Sequence, residues 1–333
     1  MNSAWHSLNY ADAIREGLAQ ALEMSDDVIV LGQLVDYPAG IFGTTRGLAL
    51  EFGPDRVQDF PVSEAAMTSV ALGSALEGMR PVIVHQRLDF ALYSMDAIAN
   101  WLALWCFKTE GRSPMPVTIR AVIGKGWGQG PQHSKSPHAW FAHLPGLKVA
   151  MPSNAVDAKG LLLESVFGED PCLILESRSL FTAESEVPCD PYRIRYGKAA
   201  TVRPGRDLTI VALGYLVPES LRAAKILAEE GIDAEIIDPR TLVPLDQDSI
   251  CASVSRTGRL LVADPAWEFC GFSAEIVATV CERVGERLIA RPVRVCFPNS
   301  HTPMSSPLEK AFYPDSESIV RKARVLMQSG KLR

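Results

Sequence analysis

Short apolar runs rich in β-branched residues alternate along most of the chain with stretches whose apolar residues recur at helical spacing. In the first half, the runs predict strands near 28–31, 81–85, 117–122 and 172–176. The stretches between them predict helices near 11–24, 64–76, 94–107 and 155–166. This alternation is typical of parallel sheets whose strands are joined by crossover helices, so we predict a doubly wound α/β domain.

The second half repeats the alternation and predicts a second α/β domain. Its predicted strands lie near 208–213, 234–237 and 260–263, and its predicted helices near 219–230 and 273–284. Between the halves, residues 182–191 gather glutamate, aspartate and proline without periodicity, which is typical of an exposed connection. The sequence therefore predicts two domains, 1–190 and 191–333.

Composition agrees with two domains and narrows the class of protein. A chain of 333 residues with 47% hydrophobic content is large enough to bury two cores. The net charge of -6 comes from mixed charges without a basic stripe, which disfavours nucleic acid or an anionic membrane as a partner. We expect an enzyme that acts on a small molecule.

The start of the chain and the cysteines indicate a cytoplasmic protein. The first 25 residues include Asp12, Arg15 and Glu16 and no small-residue cleavage site, which predicts an ordinary helix rather than an export signal. No uncharged apolar run reaches the roughly 18 residues that a membrane span needs. The seven cysteines are scattered without a close pair, which favours reduced thiols and no zinc site.

One helix start carries a carboxylate that is of interest. Ser63 is in the position of an N-cap, and Glu64 follows it in the first turn, where the helix dipole favours a negative charge. Taken alone, such a glutamate is most simply a solvent-exposed residue at a helix start. Its surroundings in the sequence change that interpretation.

The run from Phe52 to Glu64, FGPDRVQDFPVSE, resembles the FG-x-x-RV-x-D-x-P-[IV]-[SA]-E segment of a known family. That family comprises the beta subunits of thiamine diphosphate-dependent 2-oxo-acid dehydrogenase decarboxylase components, within the transketolase-like superfamily. Further ordered matches span nearly the whole chain, at 40–42, 45–48, 133–134, 141–149, 157–162, 238–246 and 303–309. The resemblance implies a pyrimidine-binding domain followed by a transketolase C-terminal-like domain.

The resemblance implies a catalytic role for Glu64. In the family, the matching glutamate hydrogen-bonds N1′ of the aminopyrimidine ring of thiamine diphosphate. A carboxylic acid there favours the imino tautomer, whose exocyclic nitrogen can remove the thiazolium C2 proton. Such a group needs a dry pocket and a raised pKa. The cofactor then accepts the electrons released by bond cleavage, so the protein's task is positioning and electrostatics.

By the same resemblance, three further residues bind the cofactor ring. Phe90 matches the aromatic residue that stacks on the ring, Gln86 a polar neighbour, and Val62 a residue that packs against it. The strand near 81–85 ends just before them, and open α/β sheets bind ligands at the carboxyl ends of their strands. The alternative for Phe90 is a core aromatic at a strand end.

His133 and Arg87 are candidates for contact with the substrate. His133 follows a glycine-rich stretch that lacks the Lys-Ser/Thr end of a phosphate-binding loop. The resemblance implies that its imidazole faces the reacting carbon and protonates or orients the acceptor. Arg87 is suited to recognise a carboxylate or phosphate, or equally to pair with Asp89 or Asp96. The other histidines, such as His138, are interpreted as structural.

The chain carries only part of the expected site. Mg²⁺ on the cofactor diphosphate commonly needs a Gly-Asp-Gly segment with an Asn-Asn pair, and the chain has no Gly-Asp-Gly. A separate alpha subunit is therefore expected to supply the diphosphate and metal side, and the resemblance implies an α2β2 heterotetramer. A monovalent-cation site is not expected, because Gly168 stands where an acidic ligand would be.

Three functions stay open at this point. The chain is a decarboxylase subunit that hands an acyl group to a lipoyl-bearing acyltransferase, a split transketolase-like subunit that serves an aldehyde acceptor, or a non-catalytic assembly subunit. Departures from the family pattern, which cluster around the substrate, lie at Gln33, His85, Arg87, Leu88, Lys135, His138 and Trp140. A Rossmann-type nucleotide binder is disfavoured, because no Gly-x-Gly-x-x-Gly follows the first strand.

Overall fold

The computed structural model describes residues 4–328, and within them the chain forms two compact units. The first unit runs to Ile123 and resumes over Trp140–Tyr196; the second contains Gly124–Ala139 and the chain from Gly197 onward. The boundary between the units lies between Tyr196 and Gly197, slightly after the predicted boundary at 190/191. In addition, the segment 124–139 belongs to the second unit. The outer ends of the predicted domains, 1–3 and 329–333, lie outside the described residues.

The elements that precede residue 197 are eight strands and ten helical segments. The strands are β1 (Trp5–Asn9), β2 (Val28–Gly32), β3 (Val57–Asp59), β4 (Arg80–His85), β5 (Thr118–Ile123), β6 (Lys148–Ala150), β7 (Cys172–Ser177) and β8 (Glu184–Pro188). The α-helices are α1 (Tyr10–Met24), α2 (Leu48–Phe52), α3 (Glu64–Leu76), α4 (Leu88–Ala91), α5 (Ala103–Lys108), α6 (His138–Ala142) and α7 (Ala155–Val166). Two 3₁₀ turns span Leu92–Ser94 and Arg178–Leu180, and a π-helix spans Ala97–Leu102.

Six strands of the first unit form a parallel sheet in the order β6-β7-β5-β4-β2-β3. Every residue of β2, β5 and β7 is buried, as expected of a parallel sheet covered on both faces. Strands β1 and β8 pair separately as an antiparallel ribbon. The predicted doubly wound fold is confirmed, but the helix predicted over 94–107 is wrong in detail, because it is divided into 3₁₀, π and α segments.

Two helices of the first unit start in the same way and pack against each other. The side chains of Asn9 and Asn154 cap α1 and α7, each accepting a backbone N–H at 2.8 Å. The ammonium of Lys159 on α7 is fully buried and donates to Glu16 Oε1 of α1 at 2.5 Å and to the carbonyl of Pro188 at 2.7 Å. A buried charge is tolerated here because it is paired and hydrogen-bonded.

A second buried ion pair joins two central strands. Arg120 on β5 and Glu176 on β7 are almost fully buried and form two parallel bonds, Nε to Oε1 at 2.6 Å and Nη2 to Oε2 at 3.0 Å. Bidentate arginine-carboxylate geometry of this kind is the strongest form of charge-assisted hydrogen bond. The pair fixes the two strands side by side.

The second unit contains the remaining elements. Its strands are β9 (Ala200–Arg203), β10 (Leu208–Ala212), β11 (Ala234–Asp238), β12 (Thr241–Val243), β13 (Leu260–Trp267) and β14 (Val293–Phe297). Its helices are α8 (Leu216–Glu229), α9 (Gln247–Thr257), α10 (Phe272–Val284), α11 (Ser306–Phe312) and α12 (Ser316–Gln328), with a 3₁₀ turn at Gly285–Arg287.

Five of these strands form a sheet in the order β14-β13-β10-β11-β9, in which only the edge strand β9 is antiparallel to its neighbour. Buried residues of β10, α8 and α12 form its apolar core. The second predicted α/β domain is therefore confirmed as a fold class.

Three further observations concern the part of the chain that the structure describes. No single helix there is long and apolar enough to cross a membrane, although Leu88–Ser94 and Ala97–Lys108 pass that test as a pair bent by 63°. Within residues 4–328, no group of three or more His, Cys, Asp or Glu side chains is arranged to hold a metal ion. All seven cysteines are free thiols.

Candidate active site

A cavity of about 450 Å³ lies at the carboxyl edge of the first unit's sheet. Each of the three strands β2, β3 and β4 is followed by residues that line it. Because these strands are parallel, their carboxyl ends meet at one edge, where open α/β sheets bind ligands. The lining residues are Gln33, Val62, Glu64, Gln86, Phe90 and Tyr93.

The structure brings together four of the six site residues predicted from the sequence. Val62, Glu64, Gln86 and Phe90 share this cavity although they come from two separate stretches of the chain. The other two predicted residues, Arg87 and His133, do not line it. The roles proposed for the four residues stay predictions, but their convergence in one concave site is an observation.

Glu64 is the first residue of α3, as predicted, and it is half-buried. Ser63 occupies the N-cap position, but its side chain makes no capping hydrogen bond. At the rim, Val62 is 82% exposed and Tyr93 is 74% exposed, so the cavity is open to solvent. The dry surroundings expected for Glu64 are therefore not provided by this chain alone.

Hydrogen bonds bring the loop after β2 next to the loop after β3. Asp59 Oδ1 accepts the N–H of Leu34 at 2.5 Å, and the N–H of Phe60 donates to the carbonyl of Gly32 at 3.0 Å. A Cβ on Gly32 would lie 2.7 Å from the carbonyl oxygen of Val84, so only glycine fits at this close approach. These contacts place Gln33 and Glu64 on the same cavity.

A buried hydroxyl pair ties α3 to the aromatic side of the cavity. Thr68 Oγ1 donates to Ser94 Oγ at 2.9 Å, and both side chains are fully buried. Ser94 directly follows Tyr93, which the sequence interpretation missed. The signal that identifies Tyr93 is its spacing of three residues from Phe90, which places two aromatic rings on one side of a helical turn.

His85 lies at the end of β4, directly before Gln86. It is 1% exposed, and neither ring nitrogen has a hydrogen-bond partner within residues 4–328. Burial lowers the pKa of the imidazole from 6.5 to about 4, because a charged ring would be removed from water. His85 is therefore a neutral core residue near neutral pH.

Arg87 is 3% exposed, and its guanidinium lies over the ring of Phe42, 5.7 Å from the ring centroid. Arg178 approaches the same ring at 4.7 Å, and burial lowers the pKa of its guanidinium. Guanidinium-aromatic contacts of this kind contribute to packing. Arg87 is thus buried against an aromatic ring, and its two alternative roles stay predictions.

His133 lies in the second unit, on the segment 124–139. The imidazole is half-buried, and its backbone N–H donates to the carbonyl of Gly130 at 3.3 Å. The segment is fastened by the N–H of Gly128, which donates to Glu309 Oε2 at 3.1 Å. Gly130 also packs so tightly that a Cβ there would lie 2.6 Å from Met304 Cγ.

The same segment ends in a buried pair that the sequence did not predict. His138 Nε2 lies 2.8 Å from Asp264 Oδ1, and both side chains are fully buried. Asp264 Oδ2 accepts the N–H of Ser273, in the first turn of α10, at 2.8 Å. His138 was interpreted as structural, and its partner on β13 could not be recognised from spacing in the sequence.

Comparison with known proteins defines the class. Residues 6–183 match the transketolase pyrimidine-binding domain, and residues 197–319 match the transketolase C-terminal domain. A split-gene transketolase described as an inactive β4 tetramer superposes with a TM-score of 0.78 at 22% identity, covering 97% of this chain and 99% of that chain. A transketolase mutant from Pichia stipitis gives a TM-score of 0.70 at 16% identity, covering 98% of this chain and 47% of that one. The chain is thus a transketolase-type two-domain protein.

Curated relatives define the family more closely. The chain is 39% identical to the beta subunit of acetoin:2,6-dichlorophenolindophenol oxidoreductase from Cupriavidus necator, over 96% of this chain and 97% of that protein. It is 38% identical to the beta subunit of the pyruvate dehydrogenase E1 component from Bacillus subtilis, over 95% and 97%. The chain belongs to this family of enzyme beta subunits, and the resemblance drawn from the sequence is confirmed.

Proposed function

We propose that this chain is the beta subunit of a heteromeric thiamine diphosphate enzyme. The enzyme cleaves or decarboxylates a 2-oxo acid or a related ketone donor and transfers the acyl unit to an acceptor such as a lipoyl group. The observation that carries the proposal is the convergence of Glu64, Gln86 and Phe90 in one cavity at the sheet edge. The proposal is supported by the family of the chain, whose relatives are named as beta subunits of an acetoin oxidoreductase and of a pyruvate dehydrogenase E1 component.

The lining of the cavity suits the pyrimidine ring of that cofactor. It offers one carboxyl group, two carboxamides, two aromatic rings and an apolar side chain, all on the first unit. A flat, polar-edged ring needs a face to stack on and a hydrogen-bonding group at its edge. The part of the chain that the structure describes has no cluster of metal ligands, so the proposal assigns Mg²⁺ and the diphosphate mainly to the alpha partner.

Each residue has a distinct task in the proposal. When bound, the cofactor supplies an electron sink for breaking a bond beside a carbonyl group. The carboxyl group of Glu64 holds a proton at the ring edge, and Phe90 and Val62 fix the ring by stacking and packing. Gln86 orients the ring through its amide. His133 moves or holds a proton on the acceptor, a step for which an imidazole is suited.

The proposal includes an alpha subunit and an α2β2 assembly. Two relatives are named as beta subunits, and this chain leaves its cavity open at Val62 and Tyr93. A partner that covers this rim would exclude water from Glu64, as the proposed role of this carboxyl group requires. The proposed role of Glu64 therefore requires the alpha subunit, because that subunit would exclude water from the cavity.

The identity of the donor has two candidate classes. The acetoin relative favours a hydroxyketone, and the pyruvate dehydrogenase relative favours a 2-oxo acid. Acceptors separate the enzyme types: a lipoyl domain indicates a dehydrogenase component, and an aldehyde indicates a split transketolase. The fold similarity to a split-gene transketolase keeps that second function as the alternative.

The test uses the chain co-expressed with its alpha subunit. Donors are pyruvate, branched-chain 2-oxo acids and acetoin, and turnover is followed by reduction of a dye and by transfer to lipoamide or to an aldehyde. The proposal predicts turnover that needs both subunits and thiamine diphosphate. A complex that assembles and stays inactive with every donor would support the assembly-only alternative.

A further inference from the structure

The segment 124–139, which carries His133, makes hydrogen bonds to the rest of the second unit near its start and at its end. Near its start, Gly128 donates its N–H to Glu309, whose side chain is 4% exposed. At its end, His138 bonds to Asp264 at 2.8 Å with both side chains fully buried. His133 lies between these two attachments.

The second attachment is the stronger one. Asp264 lies on β13, and its Oδ2 accepts the N–H of Ser273 in the first turn of α10 at 2.8 Å. A carboxylate is favoured at such a helix N-terminus. His138 supplies the side-chain donor for the other carboxylate oxygen. Loss of one partner from a buried, charge-assisted contact leaves the remaining group poorly compensated, so the bond resists opening.

The residues around His138 are not arranged for stability alone. Ser134 Oγ, Ser136 Oγ and His138 Nδ1 are buried without a hydrogen-bond partner within residues 4–328. Unsatisfied buried groups of this kind disfavour folding, and they indicate strain or a functional site. Ser134 also packs so close to Gly126 that a Cβ there would lie 2.6 Å from its Oγ. The segment is therefore held tightly despite polar atoms that disfavour its burial.

We propose that His138 is a positioning residue. Its bond to Asp264 fixes the segment 124–139, so that the imidazole of His133 is presented to the acceptor in one orientation. This inference rests on the proposed function for the role of His133, but the fixing of the segment does not. We call the bond between His138 and Asp264 the clamp. Because a displacement of about 1 Å at a catalytic group lowers rates substantially, loss of the clamp should have a measurable kinetic effect.

The kinetic test uses the complex with the alpha subunit and three variants. His138→Leu removes the donor, whereas His138→Gln keeps a nitrogen donor at the position of Nε2. We expect kcat to fall roughly 10-fold to 100-fold in His138→Leu, with the KM for the donor unchanged, and to recover mostly in His138→Gln. His301→Leu, which alters an exposed histidine of the same unit, should keep wild-type turnover.

A double-mutant cycle decides whether the effect passes through His133. In a His133→Ala background, His138→Leu should cause no further loss of kcat, because residues that act as a unit are not additive. An equal loss in both backgrounds, or a His138→Gln variant as slow as His138→Leu, would overturn the proposal.

Hydrogen exchange tests the clamp without any turnover. Amides of residues 124–137 should exchange faster in His138→Leu than in wild type or His138→Gln, with α8 unchanged as an internal control. If His138→Leu does not fold, the same exchange is measured in Asp264→Asn, which weakens the bond to His138. Unchanged exchange over 124–137 would overturn the clamp. If exchange is faster in His138→Leu but the wild-type complex is inactive with every donor, the fixing of the segment by His138 is upheld and the proposed function is refuted.

Discussion

The side chain of Asp59 accepts a hydrogen bond from the backbone N–H of Leu34, and this bond joins two loops that each deliver a residue to the cavity. Leu34 follows directly after Gln33, and Asp59 begins the turn that leads to Glu64. The mutual placement of Gln33 and Glu64 therefore depends in part on one carboxylate at a sheet edge.

Substitution Asp59→Ala should loosen this arrangement. We expect the free energy of unfolding to fall by about 1 kcal/mol, the usual contribution of one hydrogen bond, and the affinity for thiamine diphosphate to fall several-fold. Asp59→Asn keeps the accepting oxygen and should stay close to wild type. Urea denaturation and cofactor titration of the complex measure both effects; equal affinity in wild type and Asp59→Ala would contradict this role.

Phe90 and Tyr93 should differ in their effect on cofactor binding. Phe90 is half-buried at the cavity and Tyr93 is 74% exposed, so Phe90 is the better placed stacking partner. We expect Phe90→Ala to weaken cofactor affinity roughly 10-fold, since a stacked aromatic pair contributes about 0.5–1.5 kcal/mol beyond its buried area. Phe90→Tyr should retain affinity. If the Phe90→Ala complex bound the cofactor with wild-type affinity, the ring of Phe90 would be a core residue and not a stacking partner.

His85 should make the fold sensitive to acid. Its pKa is about 4 in the folded chain against 6.5 when unfolded, so the unfolded state binds the proton more readily between these values. Stability is therefore lost as the pH falls from 6.5 towards 4, by about 3 kcal/mol in full. His85→Leu should remove this part of the loss and be nearly neutral at pH 7.5, because the ring nitrogens have no partner among the described residues.

Unfolding of the wild type, His85→Leu and His301→Leu at pH 7.5 and pH 5 provides the comparison. His301 is exposed, so its variant serves as the matched control. An identical pH dependence in His85→Leu and wild type would show that His85 is not the group responsible.

Removal of one charge from the buried pair of Arg120 and Glu176 should lower the free energy of unfolding. We expect Glu176→Gln to destabilise the fold by about 3–5 kcal/mol, since it leaves an uncompensated guanidinium between β5 and β7. The double variant Arg120→Met/Glu176→Leu should recover much of that loss, because both charges are removed. The exposed pair of Glu286 and Arg287 is the control: Glu286→Gln should change stability by less than about 0.5 kcal/mol.

Helix positions could be predicted from the sequence where neighbouring residues determine them. The helices Glu64–Leu76 and Ala155–Val166 begin and end at the predicted residues, because their apolar periods and the capping residue Asn154 are adjacent in the sequence. The π-helix Ala97–Leu102 was missed, since a change in hydrogen-bond register leaves no mark in composition. Helix α12 was also missed, although its buried residues Ile319, Val320, Ala323 and Leu326 follow a clear helical period.

The residues of the candidate site that belong to a recognisable sequence motif could be predicted. Val62, Glu64, Gln86 and Phe90 were named from the sequence and share one cavity. The contribution of the segment 124–139 to the second unit, and the bond of His138 to Asp264, depend on how distant parts of the chain pack. No periodicity or spacing in a single sequence reports such packing.

The account depends most on the carboxyl group of Glu64. Glu64→Gln preserves shape and should leave unfolding and assembly with the alpha subunit unchanged. The decisive measurement is the rate of donor-dependent dye reduction by the assembled complex with saturating thiamine diphosphate. We predict that Glu64→Gln lowers this rate roughly 100-fold to 10,000-fold, the range expected for loss of a general acid-base group. Full turnover in the Glu64→Gln complex would contradict the account.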